Sequence, residues 1–345
     1  MVEFVRARRM IGRRAAVGGL MASGVATALK APPALAAAAS GTKSHATSSY
    51  SAFLAGVREQ AVQQGVPASI VTEALALTHA PNAKVLKLDR HQPEFTLTWA
   101  QYRQRVITQT KIDAGRKALA NYNGTLEAVE ARTGVDRQPV MGIWGMESWY
   151  GKLTGGFNVI DALATLAYDG RRSSFFRSEL LKALQILGEG RIAPSHMTGS
   201  YAGAMGQPQF MPSAYLRYAR SMDGSGHADI WTNVPDVMMS IANYLAKCGW
   251  RTGEPWGQEV TVPETLAQAE IGREHTRTLE AWTQAGVRRK DGSKFSRSDV
   301  EGAIVRPDGP GTEAFMVYHN FNVIRRYNPS DYYALGVGLM GAATT

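Results

Sequence analysis

From Tyr50 to about Trp250, apolar residues recur at the three- and four-residue spacing of helices, and this restricts the chain to a mainly helical fold. Breaks fall at "QGVP", "HAPNAK", "NYNG" and "RTGVD", where Gly, Pro and Asn interrupt the pattern. Helices are expected over residues 160–168, 173–187, 212–221 and 234–247. Between Arg251 and about Tyr318 short alternating runs take over, "QEVTVP" and "GAIVRP", with "PDGPG" as a turn before "AFMVYHN". Helical spacing returns from Asp331 to Met340. The fold class expected is mainly α (α+β): one helical domain over 49–250 plus 319–345, holding a small strand-rich insertion over 251–318.

The first 36 residues read as an export signal. A basic region ends at Arg13-Arg14, a small-residue apolar run spans Ala15 to Leu29, and "ALA" (34–36) offers a small-x-small cleavage site. The run is shorter than the ~20 residues of a bilayer span, and the arginine pair suggests the twin-arginine route. Residues 37–48 read as a flexible linker with nothing to pack. The leader carries six basic residues against Glu3, so only +4 of the +9 net charge belongs to the remainder. That is a weak signal for a polyanion, and nucleic acid is not expected as a partner. The only cysteine, Cys248, allows no internal disulfide and no thiolate metal cluster. With no cysteine at the cleavage site, a lipid anchor is not expected either. A soluble periplasmic protein with no stable membrane anchor is the expectation.

The stretch "VMGIWGMESWYGKLTGG" (140–156) places one carboxylate in apolar text. On a helix capped by Asp136, with Pro139 in its first turn and Gly151 at its end, Val140, Ile143, Trp144 and Glu147 share a face. No Lys or Arg stands three or four positions away. A carboxyl held against aromatic rings loses hydration and can keep a proton near neutral pH, as a general acid must. A helix-surface glutamate is the alternative.

Three further clusters stand out. "GSYAGAMGQPQFMPSAYLRYA" (199–219) combines close-approach glycines, the amides of Gln207 and Gln209, and flat apolar side chains, a pairing that suits sugars; tight helix packing is the alternative. "NFNVIRRYNPSDYYALGVG" (320–338) gathers Tyr327, Asn328, Tyr332 and Tyr333 with Arg325 and Arg326, which suits single-stranded nucleic acid or an anionic glycan. In "LAYDGRRSSFF" (166–176), Arg171 and Arg172 open a helix behind an Asp-Gly turn.

"IWGMESWYG", "GAMGQPQFMPSAYLRYA", "IANYLAKCGW" and "RYNPSDYYALGVG", with "KLDRHQPEFTLTW" and "DALATLAYDGRRSSFFRSELL", resemble the lytic murein transglycosylase B family in order and spacing from about Ser51 to Met340. The resemblance implies a lysozyme-like, largely helical fold. It implies Glu147 as the single catalytic acid/base, and Ser200, Gln209, Phe210, Tyr244, Tyr327, Asn328 and Tyr333 as substrate contacts. Arg171 and Arg172 would edge the glycan groove, beside Phe175 where a tyrosine is common. Some members carry a calcium loop after the "QFMP" helix; here "SMDGSGHADIWTNVPDV" leaves Asp223 and Asp236 as carboxylates. Hard cations want 6 to 8 oxygens, so no metal and no cofactor is expected.

Paired carboxylates usually serve glycoside hydrolysis, yet Asp161 and Asp169 are explained by helix capping. One acid suits an intramolecular closure instead. The expected partner is the glycan strand of peptidoglycan, cleaved between N-acetylmuramic acid and N-acetylglucosamine to leave 1,6-anhydromuramoyl ends. A lysozyme-type hydrolase and a non-catalytic murein-binding scaffold are the alternatives.

Overall fold

The computed structural model describes residues 40–90, 97–297 and 300–345; the expected export signal lies outside the described residues. Thirteen helices and seven strands follow one another in these segments. The first helices are α1 (Ser40–Gln63), α2 (Ala68–Leu75), α3 (Ala83–Arg90), α4 (Trp99–Val106) and α5 (Gln109–Thr133). Helix α1 begins inside the stretch read as a linker. Helix α4 opens on a full capping box: Thr98 Oγ1 accepts from Gln101 N, and the Gln101 side chain accepts from Thr98 N.

The central helices are α6 (Arg137–Ser148), α7 (Val159–Tyr168), α8 (Ser173–Gly188), α9 (Pro212–Tyr218) and α10 (Val234–Lys247). Helix α9 is three residues shorter than expected. Its successor Ala219 is already extended, and Ser240 of α10 binds both the N–H and the carbonyl of Arg220. The chain closes with α12 (His319–Tyr327) and α13 (Asp331–Thr344), α12 being a helix that the aromatic and basic text had not announced.

Between α10 and α12 lies a five-stranded antiparallel sheet, in order β4-β6-β7-β3-β5. Its strands are β3 (Gly257–Thr261), β4 (Arg277–Thr278), β5 (Arg288–Arg289), β6 (Glu301–Val305) and β7 (Ala314–Val317), with α11 (Leu279–Gln284) packed beside them. Alternation explains its two faces. Ala303, Val305, Phe315 and Val317 join the main helical core, whereas Ile304, Ala314 and Met316 build a second cluster with Leu279 and Trp282. The sheet is thus pinned to the helices by one face. A two-strand ribbon of β1 (Phe157–Asn158) and β2 (Thr198–Gly199) completes the fold, which is mainly α with a small antiparallel sheet.

Helices α6 and α13 run antiparallel in the middle of the main core, and glycines set how closely they approach. A Cβ on Gly142 would lie 2.1 Å from the Val337 carbonyl oxygen; one on Gly341 would lie 2.2 Å from the Gln138 carbonyl oxygen. No side chain fits in either gap. The approach brings the start of α13 over the end of α6, where Glu147 sits.

Candidate active site

Helix α6 ends at Ser148, three residues before Gly151. Trp149 and Tyr150 both take left-handed backbone, φ 50° and 56°, which is costly for aromatic residues. Packing compensates the strain. The Tyr150 hydroxyl lies where Cβ atoms on Gly115 of α5 and Gly145 of α6 would come within 2.4 and 2.6 Å, so this ring wedges between helices. The ammonium groups of Lys111 and Lys152 lie 5.7 and 5.8 Å from the centre of the Trp149 ring. Tyr150 is therefore a packing residue, and burial pushes its phenol well above the usual value.

Glu147, on the last turn of α6, is half-buried. The expectation of an unpaired carboxyl is corrected here: Tyr333 of α13 donates its hydroxyl to Glu147 Oε1 at 2.6 Å. Tyr333 is 1 % exposed. Burial, and next the facing Glu147 carboxyl, holds its phenol well above the ordinary tyrosine value, which favours the protonated, donating form. Ser330 starts α13 by accepting from Tyr333 N, and Asp331 pairs with Arg273 of the sheet region and Arg325 of α12. These contacts fix where Tyr333 points.

Beside Tyr333 the expected contacts form one aromatic pile. Tyr327 stacks on Tyr333, rings 6.5 Å apart and 13° from parallel. Phe210 lies 5.7 Å from the Tyr327 ring and 5.8 Å from the Tyr244 ring. The hydroxyls of this pile are committed to the fold: Tyr327 donates to the Pro208 carbonyl and Tyr244 to the Arg326 carbonyl, each at 2.5 Å. Ser200 Oγ accepts from Ala202 N and Ala204 N, closing the tight loop after β2. Gly199 permits that loop, since a Cβ there would lie 2.0 Å from the Ala204 carbonyl oxygen. Gln209, at φ 52°, donates to the Thr154 and Gly206 carbonyls. Asn328 follows α12 directly and accepts from Ser330 N.

Arg171 and Arg172 form a separate cluster. Both pair with the buried carboxylate of Asp89 on α3, at 3.2 and 2.7 Å, and tie that helix to the α7–α8 turn. The two aspartates weighed as second acids are spent elsewhere. Asp161 accepts from Asn82, and Asp169 pairs with Arg90. The cap of α7 is Asn158, not Asp161.

A helical domain that sets one half-buried glutamate against a buried phenol, beside an aromatic pile, has the makings of a lysozyme-like glycan-cleaving enzyme. Residues 49–342 match the family described as Transglycosylase SLT domain, and the chain belongs to that family. It is 32 % identical over 247 residues to the membrane-bound lytic murein transglycosylase B of Escherichia coli, covering 71 % of this chain and 67 % of that protein. Pseudomonas aeruginosa SltB3, solved in complex with NAG-anhNAM-pentapeptide, superposes with a TM-score of 0.82 at 39 % identity, covering 86 % of this chain and 79 % of that one. E. coli Slt35, solved in complex with calcium, superposes at 0.72 with 28 % identity, covering 85 % and 92 %.

The loop over residues 221–236 does not suit a hard cation here. Asp236, 3 % exposed, accepts from Met222 N and Asp229 N, at 2.8 and 2.9 Å. Asp223 accepts from Ser225 N. Asp229, a carboxylate passed over in the sequence, accepts from Trp231 N and Thr232 N. Each carboxylate turns to a main-chain amide, and among the described residues no three metal-binding side chains converge.

Proposed function

We propose that this protein cleaves the bond between N-acetylmuramic acid and N-acetylglucosamine in peptidoglycan, with Glu147 as acid and then base. The carrying observation is the half-buried Glu147 carboxyl, held in one orientation by the Tyr333 hydroxyl at 2.6 Å. Family membership, and relatives that are lytic murein transglycosylases, support the substrate.

In the first step Glu147 gives its proton to the bridging oxygen as the C1–O bond breaks. Positive charge at C1 is met by the sugar's own 2-acetamido oxygen. The ionised Glu147 then takes the proton of the muramoyl 6-hydroxyl, whose oxygen closes on C1 and displaces the acetamido group. Glu147 ends protonated, no water is consumed, and the product is a 1,6-anhydromuramoyl end. Tyr333 serves both states, since a hydroxyl donor stabilises the carboxylate and still orients the acid. Phe210, Tyr244 and Tyr327 supply a rigid wall beside the acid, with Ser200, Gln209 and Asn328 in the loops that border it.

The proposed substrate and the leader both support export to the periplasm. Among the described residues no helix is long and apolar enough to cross a membrane. Digestion of purified murein tests the reading: anhydro ends appear with the mature protein and not with Glu147→Gln.

A further inference from the structure

We propose that Gln207 is a positioning residue for Glu147, its buried side-chain amide locking the helical turn that carries the acid. The inference rests on the function proposed above and concerns how the acid is held in place.

Sequence reading placed the Gln207 amide among sugar-binding groups; the structure turns it inward. It is 6 % exposed, its Oε1 accepts from the indole N–H of Trp144 at 2.8 Å, and its Nε2 donates to the Trp231 carbonyl at 3.0 Å. Its own N–H donates to the Ile230 carbonyl at 2.9 Å. Trp144 stands three residues before Glu147, one turn back on the same face of α6. Gly151 stands four residues after it, and a Cβ there would lie 2.5 Å from Gln207 Oε1. The amide therefore presses on the chain at both sides of the acid. The chain between these two points includes the left-handed Trp149 and Tyr150, a conformation that persists only where its surroundings enforce it.

The next two residues extend the bracket. The Pro208 carbonyl accepts from Tyr327, which stacks on Tyr333, and Gln209 donates to the Thr154 carbonyl in the segment leaving α6. Three consecutive side chains or carbonyls thus reach the turn that holds Glu147, the ring stack that holds its partner, and the loop between. A neutral amide suits the first position, having a fixed acceptor and a fixed donor at one end of the side chain. It must accept from an indole and donate to a carbonyl at once, and a buried group left without either partner costs stability and order.

The test compares Gln207→Met, which keeps the length and removes both hydrogen bonds, with Trp144→Phe, which removes one from the other side. Turnover of purified murein is measured per folded molecule, with murein pelleting as the binding readout. A positioning role predicts that kcat falls about ten- to a hundredfold, as small misplacements of a catalytic group do, with KM and pelleting unchanged. It also predicts a double variant no worse than Gln207→Met alone, because the two residues share one bond. Variants whose kcat stays within about twofold while only thermal stability drops, or whose KM rises at constant kcat, overturn it. Should Gln207→Met not fold, Trp144→Phe carries the same comparison. A crystal structure of either variant reads the inference without turnover: the Glu147–Tyr333 bond displaced beyond hydrogen-bond range supports it, and an unchanged bond overturns it. An inactive wild type would instead count against the proposed function.

Discussion

Replacing Asp236 by alanine removes a side chain that bridges both ends of the 221–236 loop. The carboxylate accepts from Met222 N at 2.8 Å and from Asp229 N at 2.9 Å, and at 3 % exposure no solvent screens it. Hydrogen bonds to a charged group contribute about 1.5–3 kcal/mol each, so the pair contributes about 3–6 kcal/mol. For a chain of this size that corresponds to a fall in Tm on the order of 10 °C. Asp236→Asn keeps one acceptor and should lose about half as much. The loop also supplies the Ile230 and Trp231 carbonyls that hold Gln207, so activity should fall with stability. Thermal unfolding followed by circular dichroism, with calcium and with a chelator, measures all of this. Because the loop's carboxylates are already bonded to amides, calcium should leave the wild-type Tm unmoved. A bound ion at a hundredfold excess over its Kd would add about 2.7 kcal/mol. An alanine variant as stable as wild type, or a wild type stabilised by calcium, would show that the loop is not closed by Asp236.

Gly142→Ala puts a methyl group 2.1 Å from the Val337 carbonyl oxygen. It should cost about 1–3 kcal/mol as overpacking and, by pushing α13 away, most of the activity; an active, fully stable variant would mean that the helix approach does not set the site. Burial raises the phenols of Tyr50, Tyr150, Tyr215, Tyr318 and Tyr333. The folded state then keeps protons that the unfolded chain releases above about pH 10. That contribution is complete below the unfolded value and is lost as pH rises toward the folded ones, by about 1.4 kcal/mol per pH unit for each phenol. Urea midpoints should therefore stay level up to about pH 10, the value of the free phenol, and drop steeply above it, and flat midpoints there would mean that these rings are solvated.

Much of the helical architecture was legible because apolar spacing and breakers are local. The helix over 234–247 appears with those ends, β7 lies within "AFMVYHN", and β6 overlaps "GAIVRP" but begins one residue earlier, at Glu301. Glu147 stood out because nothing near it in sequence explained it. What escaped depends on tertiary contacts. The end of α6 is set by Tyr150 entering a gap between α6 and α5, which no local signal at Gly151 could reveal. Tyr333 was named as a contact, but its bond to Glu147 spans 186 positions in sequence. The glycines in "MGIWGM" and "GVGLMG" mark the close approach of α6 and α13, but in sequence a glycine at such an approach looks like any other. Gln207 misled because a neutral amide beside aromatics looks the same in sequence whether it faces a sugar or a tryptophan.

Mass spectrometry of murein digested by the mature wild-type protein, with Glu147→Gln alongside, is the most direct measurement. Glutamine keeps an acceptor for the Tyr333 hydroxyl, so the fold should hold while the proposed proton donor is gone. Muropeptides one water lighter than hydrolysis products should accumulate with wild type, and the variant should release them at least about a hundredfold more slowly. Products carrying the added water, or equal release by the variant, would mean that bond cleavage does not run through one acid closing the sugar on itself.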